Sequence, residues 1–226
     1  MKKSSCILCI LKIISEVYVL IKISRLPLGP VATNAYIIHE NKKAVVFDPG
    51  GDFNKLDDYL KERELEVEAI LLTHAHFDHI GAVDQLREAY HAPVYVHKEE
   101  ADWLQNPDKN GSKLFGLGEI TAAPADQFIE VGPMEIAGMP FEVRHTPGHS
   151  PGSVSYVFRN QRLTIAGDTL FQGGIGRTDL PGGDRSLLNR SIQDQLLTLR
   201  NDMRIFPGHG MPTTVGEELG TNPFLK

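Results

Sequence analysis

The sequence predicts an α/β protein in which two β-sheets pack face to face with helices on their outer sides. Three observations lead there. The 226 residues are 41% hydrophobic and 23% charged, the balance of a globular chain with a sizeable core. Short runs rich in Val, Ile and Tyr alternate with amphipathic stretches through both halves of the chain. No low-complexity tract or Pro/Ser-rich linker divides them, so residues 17–226 are expected to form one domain.

Residues 1–16 start with Met1-Lys2-Lys3 and an apolar run from Cys6 to Leu11, but Lys12 interrupts the run and Glu16 follows. No small-x-small cleavage site precedes the folded part, so this stretch is taken as an N-terminal extension without an assigned role. Strands are expected at 17–23, 34–38 and 44–47. Asp48-Pro49-Gly50-Gly51-Asp52 is a turn, with Asp52 placed to cap the next segment. Phe53, Leu56, Tyr59 and Leu60 then recur at helical spacing. A buried strand at 67–72 is followed by a helix marked by Ile80, Val83 and Leu86, a strand at 94–96 and a short helix at 99–104. Residues 105–117 are polar and carry Pro107, Gly111 and Gly116, a loop long enough to suggest a function. The second half offers strands at 127–131, 134–136, 141–145, 153–158 and 163–166. A helix at 187–199, a strand at 204–206 and a short helix at 215–219 complete it.

Charge and cysteine usage narrow the setting. Lys and Arg total 23 against 29 Asp and Glu, a formal net charge of −6, which argues against a nucleic-acid partner because such affinity leans on clustered cations. No stretch approaches the roughly 18–20 uninterrupted apolar residues of a membrane span. Only Cys6 and Cys9 occur, so the body has no disulfide framework and a reducing, cytoplasmic setting is expected. The Cys6-x-x-Cys9 pair lacks a second pair and is given no redox or zinc role.

The chemistry concentrates in Thr73-His74-Ala75-His76-Phe77-Asp78-His79-Ile80-Gly81. In an extended chain, residues two apart project to the same side, so His74 and His76 point together from the end of the preceding strand. Asp78 and His79 then fall at the start of the next helix. Crowded imidazoles would repel on protonation; a divalent cation resolves the conflict, since neutral imidazole and ionised carboxylate are its ligands. Three further candidates follow expected strands: His149 in His145-Thr146-Pro147-Gly148-His149-Ser150, Asp168 in Gly167-Asp168-Thr169, and His209 in Pro207-Gly208-His209-Gly210. Five His and two Asp suit two metal ions with one bridging carboxylate.

This pattern resembles the metallo-β-lactamase superfamily, whose fold is a four-layer αβ/βα sandwich, across nearly all of residues 17–226. The resemblance implies His74, His76, His149 and a bridging Asp168 at one metal, with Asp78, His79, Asp168 and His209 at the other. The true β-lactamases of that superfamily lack an aspartate at the position of Asp168, which disfavours antibiotic hydrolysis. The bridging Asp, the run Phe171-Gln172-Gly173-Gly174-Ile175-Gly176-Arg177-Thr178-Asp179 and the ending after His209 are similar to short, single-domain glyoxalase II-like proteins. The C-terminal helical domain that supplies glutathione contacts in full-length glyoxalase II has no counterpart in the few residues after His209, so glutathione specificity does not follow.

The resemblance implies a dinuclear hydrolase attacking a thioester such as S-lactoylglutathione with a metal-held hydroxide that Asp78 orients. Zinc is the expected metal, with iron or manganese accepted by the same donors. Arg177 is assigned to a substrate carboxylate, against the alternative of an internal salt bridge with Asp179 or Asp184. Asp48 is assigned to orienting a ligand His, against the alternative of an acidic turn residue. His39, His91, His97 and His145 are left outside the site. The rival reading is a persulfide dioxygenase of the same fold, holding a single iron through His74, His149 and Asp168; its branch usually has Cys where Ile175 stands. A nuclease would need an inserted domain and a basic surface, and a non-catalytic scaffold would not need seven ligand-type residues. Sequence leaves the oligomeric state open.

Overall fold

The computed structural model describes residues 21–116 and 118–225. The extension at 1–16, both cysteines and the start of the first expected strand lie outside the described residues. The first half supplies β1 (Lys22–Leu28), β2 (Thr33–Glu40), β3 (Lys43–Phe47), α1 (Phe53–Glu62), β4 (Glu66–Leu71), α2 (Phe77–Ile80), α3 (Val83–Tyr90), β5 (Val94–Val96) and β6 (Gln127–Phe128). The second supplies β7 (Gly132–Ile136), β8 (Met139–His145), β9 (Val154–Phe158), β10 (Leu163–Gly167), a small hairpin of β11 (Leu170–Phe171) and β12 (Gly174–Ile175), α4 (Arg185–Ser191), β13 (Arg204–Pro207), β14 (Thr213–Thr214) and α5 (Val215–Thr221).

The strands form two six-stranded sheets, ordered β1-β2-β3-β4-β5-β6 and β14-β13-β10-β9-β8-β7. In the first, β1 to β3 are antiparallel and β3 to β6 parallel. In the second, β7 to β10 are antiparallel, β10 and β13 parallel, and β13 and β14 antiparallel. Alternation along the strands separates the layers. Tyr36, Ile38, Val45, Phe47 and Leu71 pack against Val143, Tyr156, Phe158 and Ile165 between the sheets. Their neighbours Ile37, Val46 and Ile70 face the other way, onto Leu56, Leu60, Val83 and Leu86 of α1 and α3. Val157 and Ile205 face outward onto Leu188, Ile192 and Leu196. Helix, sheet, sheet and helix therefore stack as four layers, the expected sandwich. Among the described residues, no helix is long and apolar enough to cross a membrane.

Several elements differ from the sequence expectation for physical reasons. β1 runs on through Pro27, which an edge strand tolerates because its N–H side needs no partner. Asp52 stands at the N-cap of α1, but its side chain makes no capping bond; its Oδ2 accepts from the Gly29 N–H at 2.9 Å instead. The helix around Ile80 to Leu86 is two helices, because Ala82 N–H donates to Pro49 O at 2.8 Å and leaves the helical ladder. The short helix at 99–104 is a 3₁₀ turn, Lys98–Glu100, and the strand at 127–131 keeps only Gln127–Phe128. The helix at 187–199 is α4 followed by a π-helical turn, Ile192–Leu196. The hairpin of β11 and β12 and the two-residue β14 are too short to produce a periodic signal.

Phe158 is 1% exposed and packs against Phe47 with ring centroids 6.3 Å apart. Truncating it opens a cavity between the sheets, so Phe158→Ala should cost about 3–5 kcal/mol in denaturant unfolding. A loss below ~1 kcal/mol would contradict the assigned inter-sheet core.

Candidate metal centre

The strand topology brings five chain reversals to one end of the sandwich. Beyond β4 the chain bends at Thr73 and reaches His76, whose φ of −68° and ψ of 151° put it in the β region; α2 then carries Asp78 and His79 inward. His149 lies in the turn between β8 and β9, Asp168 directly after β10, His209 after β13 and Asp48 after β3. Gly208 makes this approach possible. A Cβ there would lie 2.1 Å from Asp168 Oδ1 and 2.8 Å from His79 Cε1, so any side chain would push into the cluster. The loop bearing His209 is pinned by the first sheet. Asn34 Nδ2 donates to Pro207 O at 3.0 Å and Tyr36 Oη to the same carbonyl at 2.7 Å.

All seven expected ligand-type residues meet here. His76 Nδ1 lies 2.9 Å from His149 Nε2, which is 3.2 Å from His74 Nε2. Next to this trio, His79 Nε2 lies 3.6 Å from Asp78 Oδ2 and 3.5 Å from Asp168 Oδ1. His209 Nε2 is 3.1 Å from Asp78 Oδ2. Asp168 Oδ2 stands between the two groups, 3.6 Å from both His149 Nε2 and His209 Nε2. His74, His76 and His149 are buried, and so are Asp78 and His79.

The cluster fits divalent cations by its own chemistry. Among the described residues, buried His79 Nε2 and Asp168 Oδ1 have no hydrogen-bond partner, and orphaned buried polar atoms are costly in a native fold. Three sets of donors each lie within 4.8 Å of one another: His74, His76 and His149; His74, His79 and Asp168; and Asp78, His79 and His209. The ion-pair partners of Asp78 and Asp168 are histidines. A cation among these lone pairs and carboxylates satisfies all of them together.

Neighbouring groups set the ring orientations. Asp48 is buried in a left-handed backbone conformation, φ 49°. Its Oδ1 accepts from Thr73 N–H and its Oδ2 from the Thr73 hydroxyl, both at 2.7 Å, while His79 Nδ1 lies 3.1 Å from Oδ2. Several bonds thus over-determine a strained residue and hold His79 with Nε2 toward the cluster. Thr33, which the sequence does not single out, donates its hydroxyl to Asp78 Oδ2 at 2.7 Å. Arg177 acts twice: its carbonyl lies 2.8 Å from His149 Nδ1, and its guanidinium forms a bidentate pair with Asp179, both contacts at 2.7 Å. The internal ion pair therefore forms, with Asp179 and not Asp184, while the residue still borders the cavity. His97, Glu99 and His145 make a separate group away from the seven.

Charge divides the cluster into two kinds of position. Burial pushes His74 well down and His76 down to about 3, and also lowers His149; neighbouring imidazoles add to the fall at His74 and His76. Burial also opposes the charge on His79 and His209, but Asp78, Asp168 and, for His79, Asp48 outweigh it and raise both. The two carboxylates follow the same balance. Burial would raise Asp78, yet His79, His209 and Thr33 hold it below its usual range; His79, His149 and His209 hold Asp168 at about 2.

A cavity of about 360 Å³ opens over the cluster, with walls that include Val31, Phe115, Phe171, Ile175 and Leu180. Trp103 backs the site, its ring 5.7 Å from that of His76.

Comparison with known proteins agrees with this arrangement. Residues 28–209 match the metallo-β-lactamase superfamily. The chain is 50% identical over 202 residues to a probable metallo-hydrolase, YqgX, of Bacillus subtilis (strain 168), covering 89% of this chain and 96% of that protein. It is 37% identical over 203 residues to the hydroxyacylglutathione hydrolase GloC of Haemophilus influenzae (strain ATCC 51907 / DSM 11121 / KW20 / Rd), covering 88% and 96%. Among solved structures, BLEG-1 B3 metallo-β-lactamase superposes with a TM-score of 0.89 at 48% identity, over 91% of this chain and all 100% of that one. TTHA1623 in a di-iron-bound form gives 0.82 at 41% identity, over 89% and 100%.

The charge division has a consequence for pH. Ion binding beside His79 and His209, whose folded values lie above 6.5, must displace protons; binding at the already neutral His74, His76 and His149 does not. As pH falls from about 6.5 to 5.5, zinc affinity should drop about tenfold per unit for each displaced proton in a His149→Ala protein, which keeps the former position. In His209→Ala, which keeps the latter, the slope should be shallower. Equal slopes in metal titrations of the two variants would contradict the assignment.

Proposed function

The chain belongs to the metallo-β-lactamase superfamily, and we propose that it is a dinuclear hydrolase of thioesters of the S-lactoylglutathione kind. The observation that carries the reading is the position of Asp168, with one oxygen between two complete donor sets. His74, His76 and His149 would hold one divalent ion and Asp78, His79 and His209 the other, with Asp168 shared. Such ions, when bound, supply Lewis acidity that polarises a carbonyl and acidifies water. Zinc is the proposed metal; the same donors accept iron, and a relative has been solved with two irons.

The chain's own groups supply the rest. Asp78 is held ionised, and Thr33 fixes one of its oxygens, so the carboxylate can orient an attacking water through a hydrogen bond. The leaving thiol has an ordinary pKa of about 8.5, and its departure needs no strong general acid. Phe115, Leu180, Ile175 and Val31 offer apolar walls that would cover the acyl-thiol arm and exclude water. At the edge of this cavity the Arg177 guanidinium can meet a substrate carboxylate by exchanging it for Asp179. The relative named as a hydroxyacylglutathione hydrolase supports this substrate class, and the proposed setting is cytoplasmic.

The test is hydrolysis of S-lactoylglutathione by zinc-loaded protein beside its Asp78→Ala variant, with a cephalosporin as the comparison substrate because one solved relative is named a β-lactamase. Metal-dependent thioester turnover that falls about 100-fold or more in the variant is expected. Cephalosporin turnover without thioester turnover would overturn the proposal. So would oxygen uptake with glutathione persulfide by an iron-loaded protein inactive on thioesters.

A further inference from the structure

Behind the cluster lies a carboxylate that the hydrolytic reading does not use. Glu100 is fully buried at the end of the 3₁₀ turn Lys98–Glu100. Its Oε2 accepts from the Ala75 N–H at 2.5 Å and its Oε1 from the Gly152 N–H at 2.7 Å. Ala75 is the residue between His74 and His76; Gly152 closes the tight turn that carries His149, where Thr146 N–H donates to Ser153 O at 2.8 Å. One side chain therefore spans the two turns whose imidazole nitrogens approach to 2.9 Å.

Gly152 is shaped to admit this carboxylate. A Cβ there would lie 2.8 Å from Glu100 Cγ and 3.1 Å from its Oε1. Its backbone is outside the left-handed region, so the glycine answers to space and not to conformation. A buried carboxylate with no lysine or arginine partner is expensive unless hydrogen-bonded, and Glu100 is bonded by the backbone of both turns and by the Ser150 side chain next to His149. Glu100 also begins the segment that backs and covers the site. Trp103 sits against His76, Asn110 O accepts from the Phe77 N–H at 3.0 Å, and Phe115 packs beside Phe77 with centroids 5.2 Å apart and the rings tilted by 41°.

We propose that Glu100 is a positioning residue that sets the spacing between the His74–His76 turn and the His149 turn, and through it the affinity for the ion those three histidines would share. A glutamine at 100 keeps the shape, but its amide nitrogen confronts one of the two N–H donors, so one turn is released. The effect acts on ligand geometry and does not depend on which substrate is hydrolysed.

The experiment is chelator competition on zinc-loaded wild type, Glu100→Gln, Gly152→Ala and Glu88→Gln, with far-UV circular dichroism to establish folding and the visible spectrum of cobalt-substituted protein to report coordination. Glu100→Gln and Gly152→Ala should bind zinc about 10–100-fold more weakly and show an altered cobalt spectrum. Glu88→Gln, an exposed residue of the same charge, should match wild type. Unchanged zinc affinity and cobalt spectrum in folded Glu100→Gln overturn the proposal, as does an equal loss in Glu88→Gln. If Glu100→Gln does not fold, Gly152→Ala decides by the same criteria. Because the readout is metal affinity and spectrum, failure here is separate from failure to hydrolyse thioesters.

Discussion

Five imidazoles and two carboxylates converge in a largely buried space, and an electrostatic conflict follows that the rest of the structure is arranged around. Protonating the His74, His76 and His149 trio would place like charges about 3 Å apart. Leaving Asp78 and Asp168 ionised with histidines as their ion-pair partners leaves negative charge poorly compensated in a low-dielectric setting. The protein divides the problem: burial keeps the trio neutral, while the carboxylates draw protons onto His79 and His209. Two divalent ions would replace that compromise with direct ligation. The arrangement is costly alone and coherent when filled, which is the usual thermodynamic sense of a metal site coupled to its fold.

Holding such a cluster demands rigidity beneath it, and the sandwich provides that in layers. The parallel segments β3–β4 and β10–β13 send their C-terminal ends to one rim, so residues distant in sequence arrive together. Asp48, Thr33, the Arg177 carbonyl and Glu100 then fix individual rings or turns through hydrogen bonds and ion pairs. Close backbone approaches at Gly208 and Gly152 leave no room for a side chain. Metal affinity is therefore written in the supporting shell as much as in the ligands.

Much of this was legible in the sequence, and for identifiable reasons. His74 and His76 are two apart, the spacing that brings side chains to one side of an extended chain, and Asp78 and His79 follow at the start of the next helix, so the grouping of these four is readable from local sequence. His149, Asp168 and His209 announced themselves as ligand-type residues beside glycines at strand ends. Asp48 was visible as an acid ending an apolar strand, although only the structure shows it bound to Thr73 and beside His79. Glu100 was invisible because Lys98-Glu99-Glu100 has the look of a solvated surface turn, and nothing local says which of three charged side chains goes inward. Thr33 is a lone hydroxyl with no spacing to betray it. The hairpin of β11 and β12 escaped because two-residue strands have no periodicity, and β1 was set too early because the Val, Ile and Tyr content is densest at 17–23, whereas the strand runs over Lys22–Leu28.

The central claim is that the cluster holds two ions with Asp168 between them. An anomalous-scattering crystal structure of zinc-loaded protein tests it most directly. The account predicts two zinc ions per chain about 3.5–4 Å apart, the separation typical of two-metal sites, with Asp168 in contact with both. A single ion at full occupancy, or two ions with Asp168 bound to neither, would contradict it.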